Sequence, residues 1–117
     1  MITVAETRTF QRKVSRLLSD SEREDLITYL SEHPCTGVIM EGSGGIRKLR
    51  WARSGRGKSG GIRVIYYFYD ETMPLYLLTA FGKNEKASLS KKERNLLAKV
   101  VEELVLFWRQ KNGQSIH

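Results

Sequence analysis

Seven cationic side chains, Arg47, Lys48, Arg50, Arg53, Arg56, Lys58 and Arg63, fall in a glycine-rich stretch that holds no acidic residue from Gly42 to Tyr69. Over 117 residues Lys and Arg number 20 against 13 Asp and Glu, a formal charge of +7. Setting the seven aside leaves thirteen of each sign, so the whole excess sits in that stretch. Cations concentrated in this way suit a polyanion, and nucleic acid is the commonest one inside a cell. They also suffice for one reaction. RNA brings its own nucleophile, the 2′-hydroxyl, so a protein that holds it in line with the phosphate and stabilises the developing charge needs only Arg and Lys. A lysine crowded by like charges has its pKa lowered, which fits such a group for proton transfer.

Other chemistries find little support. His33 and His117 stand alone, with no Asp, Glu or His at metal-ligand spacing, and no cofactor is expected. No histidine accompanies a glycine-flanked serine in the way acyl transfer requires. The run Gly55–Gly61 contains Gly-Lys-Ser but lacks both the spacing of a phosphate loop and a helix after it. A lone cysteine, Cys35, forms no internal disulfide and is read as structural. Without an apolar run fit for a signal peptide or membrane span, the expectation is a cytoplasmic protein with no membrane partner, one domain over residues 1–117.

The elements that would position the cations follow from periodicity. Ile2, Val4 and Glu6 alternate as a first strand, and Phe10, Val14, Leu17 and Leu18 recur at helical spacing. Ser19 and Glu22 form a capping box ahead of a second helix carrying Leu26, Ile27, Tyr29 and Leu30, which Pro34 stops. After a turn around Thr36 and Gly37, alternation returns in 46–52, 62–69 and 75–81, with Gly or Pro between the runs, which makes an antiparallel meander. Ser90 and Glu93 form a second capping box before a helix with a wide apolar stripe of Leu96, Leu97, Val100, Val101, Leu104, Val105 and Trp108. Lys91, Lys92 and Arg94 open that helix against its dipole, which suggests a second contact with rRNA or an acidic partner.

Strand parity assigns faces. Leu49 and Trp51 share one side of their strand with Ile62, Val64, Tyr66 and Phe68 of the next, so Trp51 is expected in the core. Packing the helices there leaves Lys48, Arg50, Arg63 and Tyr67 together on an open face, with Tyr67 as the ring for base stacking. The Gly/Ser-rich segment from Ser54 to Gly61 has nothing apolar to bury and is expected to be a mobile loop at its edge. Exposed charges that merely protect a sheet from aggregation are the plain alternative. Such protection needs no seven like charges without an acid between them.

A strand, a helical hairpin, "RKLRW", a basic glycine-rich loop, "GGIRVIYYF", "YLLTAFGKNE" and a closing helix, in that order, resemble the RelE/ParE toxin superfamily, and within it the HigB-like RelE branch. The resemblance spans nearly the whole chain, with "RVIYY" and "GKNE" its most specific parts. It implies an α+β fold and the toxin of a bacterial type II toxin–antitoxin pair. Such a toxin is a metal-independent endoribonuclease that cuts mRNA in the ribosomal A site and arrests translation. Its implied partners are a cognate antitoxin with a helix-turn-helix domain, the ribosome and mRNA. By position, the family's basic pair falls on Lys48 and Arg50 and its strand-opening arginine on Arg63, with Lys83 added to that catalytic set. Arg47, Arg53, Arg56, Lys58, Tyr67 and Asn84 make up the RNA-binding set. Many RelE-type toxins carry a second arginine where this chain has Asn84, and a catalytic tyrosine where it has Leu89 and Ser90. Lys83, Lys58 and Tyr67 are the substitutes on offer. ParE-like members share the scaffold, lack the RNase face and poison DNA gyrase; the presence of Lys48, Arg50 and Arg63 on one face favours RNA. A non-catalytic RNA-binding module is the third reading.

Overall fold

The structure, a computed structural model, describes residues 1–53 and 57–116, with residues 53, 57–60 and 114–116 described by their backbone alone. The elements run β1 (Val4–Glu6), α1 (Arg8–Val14), α2 (Asp20–Glu32), β2 (Val38–Ile39), β3 (Ile46–Arg53), β4 (Gly57–Tyr67), β5 (Leu75–Gly82) and α3 (Lys91–Ile116). One five-stranded sheet has the order β1-β5-β4-β3-β2, parallel between β1 and β5 and antiparallel elsewhere. This is the expected α+β architecture, with the two-residue β2 as an addition at the β3 edge.

The helix starts lie where the sequence puts them. Ser19 Oγ accepts from the Glu22 amide at 3.2 Å while the Glu22 carboxylate accepts from the Ser19 amide at 2.8 Å. Ser90 and Glu93 repeat the exchange at 3.1 and 2.9 Å. Each box satisfies N–H groups that a helix start otherwise leaves unpaired. Thr7 caps α1 by accepting from the Phe10 amide, and its hydroxyl lies 3.0 Å from the Leu77 and Leu78 carbonyls. The same side chain therefore starts the helix and ties it to β5.

Apolar side chains leave the sheet in both directions. On one face Ile62, Val64, Tyr66, Leu75 and Leu77 pack under Phe10, Val14, Leu18, Leu26 and Leu30 of the hairpin, with Leu49 and Trp51 at the margin. On the other, Ile46, Ile65, Tyr67, Leu78 and Phe81 pack under Leu97, Val101, Leu104, Val105 and Trp108 of α3. A bulge makes this possible in β5. Ile65 pairs with Thr79 and Tyr66 with Leu77, so Leu78 is an extra residue that fills the α3 side before Ala80 returns to the hairpin side.

This arrangement corrects the expectation that all helices share one face. Ile65, Tyr67, Leu78 and Phe81 would expose a large apolar surface without a cover. The α3 stripe supplies that cover. A second correction concerns the glycine-rich loop, because β4 begins at Gly57 and carries residues 57–61 as strand, with Arg53 paired to Gly57. The expected mobility of 54–56 lies outside the described residues.

α3 has a defined direction over the sheet. It starts beyond the turn that follows Phe81, and near its far end Trp108 Nε1 donates to the Tyr76 hydroxyl at 2.9 Å while Asn112 Nδ2 donates to the Thr72 carbonyl at 3.0 Å. Its first turn thus lies at the end of the sheet where Arg63 pairs with Phe81, and its last turns cover the Tyr67–Tyr76 end.

Candidate functional site

The register sets Arg50 directly across from Arg63, and Arg63 across from Phe81 on its other side. One row further along, Lys48 faces Ile65. Residues two apart share a face, so Lys48, Arg50 and Arg63 stand on the α3 side of the sheet, towards the end where α3 begins. Arg50 is exposed, while Lys48 and Arg63 are half-buried. A cleft of about 220 Å³, lined by Arg50, Trp51, Ala52, Gly61 and Arg63, opens at this pair.

Like charges directly opposite one another on two strands repel and destabilise the pairing. Here nothing offsets them among the described residues. The ion pairs found there, Arg23 with Glu6 and Lys86 with Glu93, lie elsewhere. Glu93 is the acid nearest in sequence to the start of α3, and it is already committed. Its bond from Lys86, helped by the Ser90 amide, lowers its pKa to about 2.

Lys83 is exposed in the turn after β5, and its amide donates to the Gly61 carbonyl at 3.3 Å, next to the cleft. Asn84 follows it, also exposed. These two, with Lys48, Arg50 and Arg63, are the candidates gathered at one end of the sheet. Arg53 and Lys58 are described by backbone alone, in the paired ends of β3 and β4, and Arg56 lies outside the described residues.

Two candidates stand apart. Arg47 shares the hairpin face with Leu49 and Trp51, and its Nη1 donates to the Cys35 and Gly37 carbonyls at 3.0 and 2.7 Å. It clamps the link between α2 and β2, away from the basic row, which corrects its place among RNA contacts. Tyr67 is only 6% exposed beneath α3, so its ring has no free face for a base. Burial, with Tyr69 as a lesser cause, raises its pKa, so its hydroxyl is a poor proton acceptor at neutral pH. Trp51 packs as its parity implies, half-buried with its ring 5.3 Å from that of Tyr29.

One further cation was read from the sequence only as part of a basic helix start, together with Lys91 and Lys92. Arg94 is half-buried, and its Nε is enclosed without a hydrogen-bond partner among the described residues. Grouping it with Lys91 and Lys92 hides a signal that spacing contains. It lies three residues before Leu97 and seven before Val101, on the stripe that faces the sheet.

The fold is thus a small α+β protein with an unneutralised basic row at one end of its sheet. A family model described as the RelE toxin of the RelE/RelB toxin–antitoxin system matches residues 2–115. The chain belongs to the RelE toxin family, which makes it the toxin of a toxin–antitoxin pair with an antitoxin as partner. Among the described residues no helix is long and apolar enough to cross a membrane.

Proposed function

We propose that this toxin is a ribosome-dependent endoribonuclease that cuts mRNA in the A site and so arrests translation in the cytoplasm. The observation that carries the reading is the cross-strand pair Arg50–Arg63, two guanidinium groups opposite one another with no acid to relieve them among the described residues. A fold bears that repulsion more easily when a phosphate enters between the charges. Guanidinium forks also match phosphate oxygens in geometry, which a scattered solvated surface does not need.

In the proposed reaction the 2′-oxygen attacks the adjacent phosphorus and the bond from phosphorus to the 5′-oxygen breaks. The upstream fragment is left with a 2′,3′-cyclic phosphate and the downstream one with a 5′-hydroxyl. A proton leaves the 2′-oxygen and one reaches the 5′-oxygen, with Lys48 and Lys83 as the carriers and no metal or cofactor. Arg50 and Arg63 donate to the non-bridging oxygens as charge builds there. The partner is proposed to be a helix-turn-helix antitoxin, in keeping with a HigB-like toxin.

Single-turnover cleavage of mRNA on programmed ribosomes at saturating toxin tests this reading. Arg63→Ala is expected to slow cleavage roughly a hundredfold to a thousandfold, as loss of one oxyanion donor does, while ribosome binding barely changes. If the variant binds more weakly yet cleaves at the wild-type rate once saturated, Arg63 only attracts RNA.

A further inference from the structure

α3 covers the sheet unevenly. Its sheet-facing line runs through Leu97, Val101, Leu104 and Trp108. Beside that line a cleft of about 400 Å³ stays open beneath the helix, against the turn that joins β2 to β3. Val101, Val105 and Leu106 form its apolar wall, with the Gly44 backbone opposite. Leu106 is 56% exposed there, although an apolar side chain of that size gains from cover. The neighbouring Gly45 holds φ at +105°, and a Cβ on it would lie 3.4 Å from the Tyr67 ring, so the turn closes on one edge of that ring.

The polar groups of the cleft are unevenly placed as well. Tyr67 lines it while only 6% exposed. Its hydroxyl makes no hydrogen bond among the described residues, yet it is not sealed off as Nε of Arg47 and of Arg94 are, so it keeps its contact with the cleft. A phenol buried to this degree normally finds a partner. Arg109 lines the same cleft one turn beyond Val105 and forms no hydrogen bond or ion pair among the described residues. Its charge reaches the hydroxyl: burial and then Tyr69 raise the Tyr67 pKa, and Arg109 opposes them. Asp70, which also acts on that hydroxyl, is engaged by the Thr72 amide at 2.8 Å. Glu102 lies seven residues before Arg109, about 10 Å away along the helix. Negative charge is therefore attracted at the Arg109 end of the cleft and repelled at the Glu102 end.

We infer that this cleft binds a small monocarboxylic acid with an apolar body, its carboxylate accepting from the Tyr67 hydroxyl and the Arg109 guanidinium and its body lying along Val101, Val105 and Leu106. Clefts of this size, apolar with a few convergent polar groups, suit small molecules. A carboxylate brings two oxygens to the two donors, whereas the double charge of a phosphate meets a single cation. A dicarboxylic acid that fills the cleft carries its second charge towards Glu102. The site lies four residues along β4 from Arg63, about 13 Å, and does not depend on the nuclease reading.

3-Phenylpropionate is the probe. Titrated into the free chain, it is expected to move the Arg109 15Nε and Tyr67 13Cζ resonances along one saturation curve, with a Kd in the millimolar range or below. Tyr67→Phe and Arg109→Gln leave the apolar packing in place and should each weaken binding about tenfold at unchanged melting temperature. 3-Phenylpropanol, which has no charge, and suberate, which has two, should bind at least about tenfold more weakly than the probe. The site is overturned if neither resonance moves, if the alcohol binds as well as the acid, or if the shifts fall on Arg50 and Arg63 instead. Losses in the two variants that merely follow a fall in melting temperature overturn it too. A pentapeptide ending in a phenylalanine carboxylate that binds more tightly than the probe puts the carboxylate on a partner chain and overturns the small-acid assignment.

Discussion

Tyr66 and Tyr67 are neighbours in the chain, yet their rings serve opposite layers. The Tyr66 hydroxyl donates to the Pro34 carbonyl and accepts from the Gly37 amide, both at 2.8 Å. A Cβ on Gly37 would come within 2.8 Å of that ring and hydroxyl, so the close approach requires glycine. Burial raises the Tyr66 pKa and the Gly37 bond opposes it in part, which keeps the phenol neutral as donor and acceptor. Tyr67 instead fills space under α3. Tyr67→Phe should leave both RNA affinity and cleavage within about twofold, since the ring's packing is kept and its hydroxyl faces no substrate; Tyr67→Ala should cost about 3–5 kcal/mol in urea unfolding. A large loss of RNA affinity in Tyr67→Phe with stability intact would restore a stacking role. Parity sufficed to bring Lys48, Arg50 and Arg63 to one face, because alternation is local. Whether Tyr67 was open or covered depended on a helix starting more than twenty residues later in the chain. Arg47 was misassigned because charge alone was counted, although it shares parity with Trp51.

At the scale of elements, the capping boxes were legible because both partners lie within one turn, and the meander because its three runs alternate between glycine and proline breaks. Less legible was the number of layers. An apolar stripe shows that α3 must be covered, but not which side of the sheet it covers. Ile65 and Phe81, apolar residues in the same parity set as Arg63, carried that information. The two-residue β2 is too short to show periodicity at all. The start of α3 offers a test through pH. In the folded chain the Glu93 carboxyl is lowered from 4.5 to about 2, chiefly by Lys86 and then by the Ser90 amide. As pH falls, the unfolded chain takes up this proton first, so the stabilisation is whole above about pH 4.5 and is lost between there and about pH 2. With the Glu93 side chain 40% exposed, solvent screening holds its worth to under about 1 kcal/mol. Glu93→Gln keeps an acceptor for the Ser90 amide but not the charge. Urea unfolding should therefore find the variant weaker than wild type near pH 6 and nearly equal to it at about pH 2.5. An undiminished difference at the acid end would mean that the charge plays no part.

Across the whole molecule, charge and fold divide the chain into two unequal parts. Outside the seven cations between Arg47 and Arg63 the signs balance, thirteen against thirteen, so the excess charge that draws a polyanion is confined to that one stretch of sequence. α3 and the hairpin hold the sheet from opposite faces, and the basic row is carried on its β-strands. Attraction of this kind has a signature in salt. Each phosphate contact on single-stranded RNA contributes about 0.7 to the slope of log affinity against log salt concentration. Replacing Lys48, Arg50 and Arg63 together by Gln should lower the slope by about 2, measured by fluorescence anisotropy with a single-stranded RNA across a salt series. Arg8, Arg12 and Arg16 are exposed on and just after α1 and provide the comparison, since replacing them removes the same net charge from elsewhere. That triple variant should keep the wild-type slope, losing only the weak pull of distant charges that ions already screen beyond about 8–10 Å. If the two triple variants lower the slope equally, RNA is drawn by net charge over the whole surface, and the row on the sheet holds no special place in binding.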